Sequence, residues 1–210
     1  MAEKANKKQK TIIVIVIALA TIISIGGLML ALAFPFIAYA TAKVEVTDDI
    51  SKYSEVIGPD AKDEYSHKWM NDDLFPAKIV EKHYVKDFKM VYYNPWDAQY
   101  LAYLVVDFGE EDYTKEIERL STYGIDDYKG IYTVTGFTKY ELVTMRSDDY
   151  NEFVYAITDK DNKRIIYVEI IFCNYFMDLD YEKYIDKDYL PDGFDAKMDN
   201  KYMEQKKHSN

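Results

Sequence analysis

One uninterrupted apolar run, Thr11 to Phe34, constrains this chain more than any other feature. It holds 24 residues and no charge. As a helix it would extend about 36 Å, enough to cross a hydrocarbon core of about 30 Å. Six β-branched residues stand in a row from Ile12 to Ile17, with Ile22, Ile23 and Ile25 further on. In water such a stretch leans toward strand. In lipid the backbone must satisfy itself within the segment, so a helix is expected. Gly26-Gly27 permits close approach of a neighbouring helix, although the GxxxG spacing is absent.

Charge on either side of the run sets an expected orientation. The tail 1–10 carries Lys4, Lys7, Lys8 and Lys10 against Glu3. Lysines beside a span stay in the cytoplasm, so the C-terminal domain is expected outside the cell membrane. The tail takes four of the 26 basic residues and one of the 37 acidic ones, leaving a net charge of −14 on the rest. A surface that acidic argues against binding nucleic acid or anionic lipid.

A cleaved signal peptide is the competing reading. Ala38-Tyr39-Ala40 fits the small-x-small pattern, and Pro35 is expected to end the helix just before it. The apolar run exceeds the roughly 7–15 residues of a signal-peptide core, which favours an uncleaved signal anchor over residues 11–40. Cleavage after Ala40, giving a secreted protein, stays open as the alternative. No cysteine lies near this boundary to carry a lipid.

Beyond the anchor the chain divides into a short stalk at 41–50, one domain at 51–195 and a tail at 196–210. The domain is long enough to bury its own core. Tyrosine is unusually frequent, 21 of 210 residues, which suits half-buried strands and aromatic surfaces alike. Cys173 is the sole cysteine and sits in the apolar stretch Ile170-Ile171-Phe172-Cys173, so a buried inert thiol is expected. The lack of paired cysteines in an outward-facing domain, with the Lys, Asp, Tyr and Ile bias, suggests a low-GC Gram-positive source.

Asp60 is placed to cap a helix running toward Trp69 and Met70, which Phe75-Pro76 ends. From Val85 the pattern changes to period two, with Asn94-Pro95-Trp96-Asp97 as a turn and Tyr100 to Phe108 as the returning strand. Tyr113, Ile117 and Leu120 form one stripe of a helix over Glu110 to Tyr123, and Gly124 stops it. A short strand is expected at Ile131 to Thr135. Further strands follow around Tyr140–Met145 and Phe153–Ile157, then a central one at Arg164–Cys173. Short loops favour an antiparallel meander. Tyr181, Tyr184 and Ile185 have helical spacing within Asp178–Leu190.

Motifs that carry chemistry are sparse. His67, His83 and His208 lie on separate elements without metal-ligand spacing. The turn Asp159-x-Asp161-Asn162 begins like a calcium loop, but Lys163 and Arg164 stand where oxygen ligands belong. Asp178, Asp180, Glu182, Asp186 and Asp188 read as solvated surface charge. There is no Gly-x-Ser-x-Gly and no phosphate-cradling glycine loop. No catalytic residue, metal ligand or cofactor is therefore expected. Trp69, Phe75 and Trp96 are the candidate ligand-binding residues, because large aromatics near turns can anchor a partner. Lids closing the core are the commoner use of such residues.

The segments Asp72-x-x-Phe75-Pro76, Tyr92-Tyr93-x-Pro95-Trp96-Asp97-Ala98-Gln99-Tyr100 and Glu116-x-x-Arg119-Leu120 resemble exported, membrane-anchored or lipoprotein domains of Gram-positive gut bacteria. The resemblance covers most of residues 50–175. It implies location and no activity.

Taken together, these patterns predict an α+β domain, an antiparallel sheet of about five or six strands with helices on one face, behind a single transmembrane helix. The expected role is a non-enzymatic binding or envelope-assembly module with an envelope protein or glycan as partner. An envelope hydrolase using paired carboxylates is the alternative.

Overall fold

The computed structural model describes residues 2–56, 73–79, 84–95, 98–148, 152–171, 179–197 and 200–201. The chain divides into two units, Met1–Ala42 and Lys43–Asn210.

The first unit is one helix, α1 (Ala2–Thr41). Within it Ile15–Phe34 has a mean hydropathy of 2.6 and no buried residue, so it is long and apolar enough to cross a membrane. The hydroxyls of Thr21 and Thr41 each donate 2.8 Å to the carbonyl four residues back, at Ile17 and Ile37. That back-bonding satisfies a polar group without water. Pro35 does not end the helix, contrary to expectation. A proline removes one backbone donor, and the rest of the hydrogen-bond ladder carries the helix on to Thr41.

The second unit is an α+β domain built on a six-stranded antiparallel sheet. Its strands are β1 (Val44–Thr47), β2 (Tyr84–Tyr93), β3 (Gln99–Asp107), β4 (Glu141–Asp148), β5 (Glu152–Asp159) and β6 (Arg164–Ile171). The spatial order is β1-β2-β3-β6-β5-β4. Strands β4, β5 and β6 form the antiparallel meander that their short loops suggested. Two three-stranded meanders meet at β3 and β6, where Leu104 lies opposite Tyr167. The connection from β3 to β4 carries the chain to the far edge before it returns. β3 and β6 are buried along nearly their whole length, as expected of central strands apolar on both faces.

Period two assigns the side chains. Phe88, Met90, Ala102, Leu104, Ile165, Tyr167, Val154 and Ala156 share one face and form a buried cluster. Helix α3 (Glu110–Ser121) covers it with Tyr113 and Leu120, together with Tyr53 of the single turn α2 (Tyr53–Val56) and Leu74-Phe75. The acidic first turn of α3 complements the helix dipole, and Gly124, at φ +77°, follows its end. Tyr113 donates to the Thr158 hydroxyl at 2.8 Å, which in turn donates to the Arg164 carbonyl.

The opposite face carries Leu101, Tyr103, Phe153, Tyr155, Val168 and Ile170. Irregular chain covers it. Phe194 meets Phe153 edge to face at 6.0 Å, and Phe137 lies 5.2 Å from Tyr155. Two expected elements differ here. Ile131–Thr133 is a 3-10 turn rather than a strand, with left-handed backbone at Tyr132 and Thr133. Those residues join the C-terminal segment instead, through Thr135 N to Asp192 O at 2.8 Å and Asp195 N to Tyr132 O at 3.0 Å. The expected helix around Tyr181 is two short 3-10 turns, Tyr181–Lys183 and Lys187–Tyr189. Tyr181 instead donates to the Ile171 carbonyl and Tyr155 to that of Tyr189, both at 2.8 Å. Tyrosine thus serves mainly as core filler with a polar tip.

Residues 44–47, read from the sequence as part of a stalk, belong to the sheet. Glu45 lies opposite Tyr92 and Val46 opposite Val91.

Candidate functional site

Phe75 is buried and its ring lies 5.7 Å from that of Tyr167. It closes the core and is not available as a surface anchor. Trp69, Trp96, His67, His83, His208, Cys173 and Asp178 lie outside the described residues.

The best-organised polar cluster joins α3 to the sheet. Arg119 holds Glu116 through Nε at 2.9 Å and Nη2 at 2.6 Å. The same guanidinium donates to the carbonyls of Asp73 at 2.7 Å and Leu74 at 2.8 Å, and to the Tyr123 hydroxyl at 3.3 Å. Tyr167 adds a 2.6 Å bond to Glu116 Oε1. All five guanidinium donors are engaged. The bond to Glu116 raises the pKa of Arg119, and burial raises that of Tyr167 well above the ordinary phenol value. The cluster clamps residues 73–75 to α3; Glu116 and Arg119 were noticed in the sequence without this role.

Sequence reasoning missed two buried carboxylates on the same face. Glu169 is 1% exposed and Glu152 4%. Glu169 lies opposite Val154, and Glu152 opposite Ile171, so the two are diagonal neighbours on adjacent strands. Arg146 lies opposite Val154 from the other side and shares the face. Its guanidinium sits 5.2 Å from the Tyr123 ring centroid. Its Nε and Nη2 are buried and have no hydrogen-bond partner among the described residues. The signal was present: Glu169 is the one charge inside Ile165–Ile171, where a solvated residue has no place.

The C-terminal acids line the surface, as expected. Asp180 pairs with Lys183 at 3.1 Å, Asp188 with Lys139, and Asp186 caps a 3-10 turn by accepting from the Asp188 amide. Asp180, Glu182 and Asp195 edge a cleft of about 350 Å³ floored by Tyr181 and Phe194. Among the described residues no group of three or more His, Cys, Asp or Glu is placed to hold a metal ion. The Asp159 turn is a hairpin closed by Asn162, whose bonds to Asp159 lower that carboxyl's pKa.

The two edges of the sheet differ. Along β4, residues 124–127 lie alongside: Asp126 N donates to Met145 O at 2.9 Å, and Ser147 N to Asp126 Oδ2 at 3.1 Å. At the other end β1 is the terminal strand, with Val44 36% and Val46 49% exposed. A shallow cleft of about 220 Å³ between Glu45, Thr47, Met90 and Tyr92 lies along it.

No protein-family model, curated protein or solved structure matches this chain.

Proposed function

We propose that the protein is a single-pass membrane protein with its N-terminus in the cytoplasm and its folded domain outside, where it acts as a binding or envelope-assembly module. The apolar stretch Ile15–Phe34 carries the reading. The four lysines before it support the orientation, because cytoplasmic retention of basic flanks is the rule. The resemblance to exported Gram-positive domains agrees with this location. Among the described residues no chain pairs with the outer edge of β1, which supports a binding role, since such a strand presents backbone donors and acceptors to a partner.

The test is fractionation of cells making the full chain, with protease added from outside. Intact protein in the membrane fraction, shortened by external protease to its anchor, is expected. A mature chain beginning at Thr41 in the medium would refute the tether.

A carboxylate hydrolase is the second reading, and the neighbouring acids Glu152 and Glu169 are the pair it would use, although both are buried and line neither cleft described above. Glycoside cleavage needs two such groups, one as acid and one as base or nucleophile. Under this reading the purified chain hydrolyses an aryl glycoside, and Glu169→Gln abolishes the turnover. Lack of turnover across a panel of such glycosides would dismiss it.

A further inference from the structure

We propose that β1 is a self-association edge, on which the β1 strand of a second copy pairs antiparallel and joins two six-stranded sheets into one. The proposal rests on the membrane-tethered reading above.

The first observation is how the sheet's edges are guarded. Soluble sheets blunt exposed edges with bulges, lysines or covering chain. Residues 124–127 cover β4 along Thr144 to Ser147. The part of β2 that precedes the β1 pairing has a bulge between Val85 and Asp87 and carries Lys86 and Lys89. β1 has an unbroken register with β2, no basic residue, and exposed valines alternating with Glu45 and Thr47.

The second observation is register. Residues that face each other across an antiparallel pair point to the same side of the sheet. In β1, Val44 and Val46 share the side of Val91 and Tyr93, while Glu45 and Thr47 share that of Met90 and Tyr92. One register sets Glu45 against Glu45 and is repulsive. Shifting by one pair centres Val46 on Val46, sets Glu45 against Thr47 and Val44 against Asp48, and aligns Lys43 with Asp49. That register buries apolar against apolar at the axis and opposes unlike charges at its rim.

The third is the tether. Only Ala42 and Lys43 separate the end of α1 from β1. A second copy held in the same membrane carries its β1 on an equally short leash. Confinement to one surface raises the effective concentration of the two strands, which lets a small interface suffice.

The test is disulfide trapping of the full chain in native membranes, with Cys173 replaced by Ser. Under mild oxidation Val46→Cys is expected to give roughly tenfold more disulfide-linked dimer than Glu45→Cys, because bridging needs Cβ atoms about 4 Å apart. Differently tagged Glu45→Cys and Thr47→Cys chains made together should give the mixed dimer. Adding Val46→Lys to both should remove it while membrane levels stay unchanged. Intact chain in the membrane with no Val46→Cys dimer overturns the proposal and leaves the tether standing. So does preferential Glu45→Cys dimer, or an adduct with a different protein. A chain released into the medium overturns both readings.

Discussion

Tyr167, on the central strand β6, donates its hydroxyl to Glu116 of helix α3 at 2.6 Å, and Glu116 in turn holds Arg119. The bond ties the middle of the sheet to the helix that covers it. Removing the hydroxyl in Tyr167→Phe leaves Glu116 still paired with Arg119, so a loss of about 1–2 kcal/mol is expected. Glu116→Ala strands both the Tyr167 hydroxyl and the Arg119 guanidinium, and about 3 kcal/mol is expected to be lost. Urea unfolding of the detergent-solubilised chain, followed by aromatic fluorescence, measures both. Equal losses would mean that Arg119 does not depend on Glu116.

Phe75 separates a surface anchor from a core lid. Its burial against Tyr167 predicts that Phe75→Ala costs about 3–5 kcal/mol. A change within about 0.5 kcal/mol in the same unfolding assay would return it to the surface.

Gly124 and Gly193 share nearly the same left-handed backbone, at φ +77° and +79°. Their surroundings differ. A Cβ on Gly124 meets nothing within 4 Å, whereas one on Gly193 comes 2.6 Å from the Thr133 carbonyl oxygen. Gly124→Ala should cost about 1 kcal/mol from backbone strain alone. Gly193→Ala should cost clearly more, because Thr133 belongs to the segment zipped onto residues 192–195. Thermal melts of the two variants provide the comparison.

Asp107 accepts bonds from Arg164 Nε at 2.7 Å and Nη2 at 3.2 Å, and Lys86 lies 3.4 Å away. The Arg164 bond holds the Asp107 carboxyl below its usual range. A carboxyl depressed in the fold contributes stability above its unfolded pKa of about 3.9, and that contribution fades as pH falls through the lower folded value. Asp107→Asn should therefore cost about 1 kcal/mol at neutral pH, and the gap to the parent chain should close below about pH 4. Unfolding curves at pH 7 and pH 3 test the sign.

Where local pattern and burial agree, the fold was legible from the residues alone. Tyr113, Ile117 and Leu120 announced α3, and the doubly apolar stretch at Arg164 announced a central strand. The neighbours β2-β3 and β4-β5-β6 were legible from their short loops, but the docking of β6 on β3 with β4 at the far edge was not, because the long connection after β3 has no local feature that selects an edge. β1 was hidden by its brevity: four residues with one glutamate carry too little periodicity to stand out from a linker. Tyr132 and Thr133 were misread because β-rich composition argues for a strand, while their left-handed backbone is set by contacts with residues about sixty positions away. The neighbouring acids Glu152 and Glu169 were not legible as a pair because they stand on separate strands and form no acidic run, although an isolated glutamate in an apolar strand is a strong signal of burial.

The junction of β3 with β6 has a consequence for how the chain is made. A polypeptide emerging N-terminus first completes β1, β2 and β3 well before Arg164 exists. At roughly 5–20 residues per second, the inner side of β3 waits several seconds for its partner. During that interval it is an unpaired, largely apolar template, and any chain cut short before β6 keeps it so. The aggregation-prone surface of this strand therefore belongs to nascent or truncated copies, and pairing with β6 removes it.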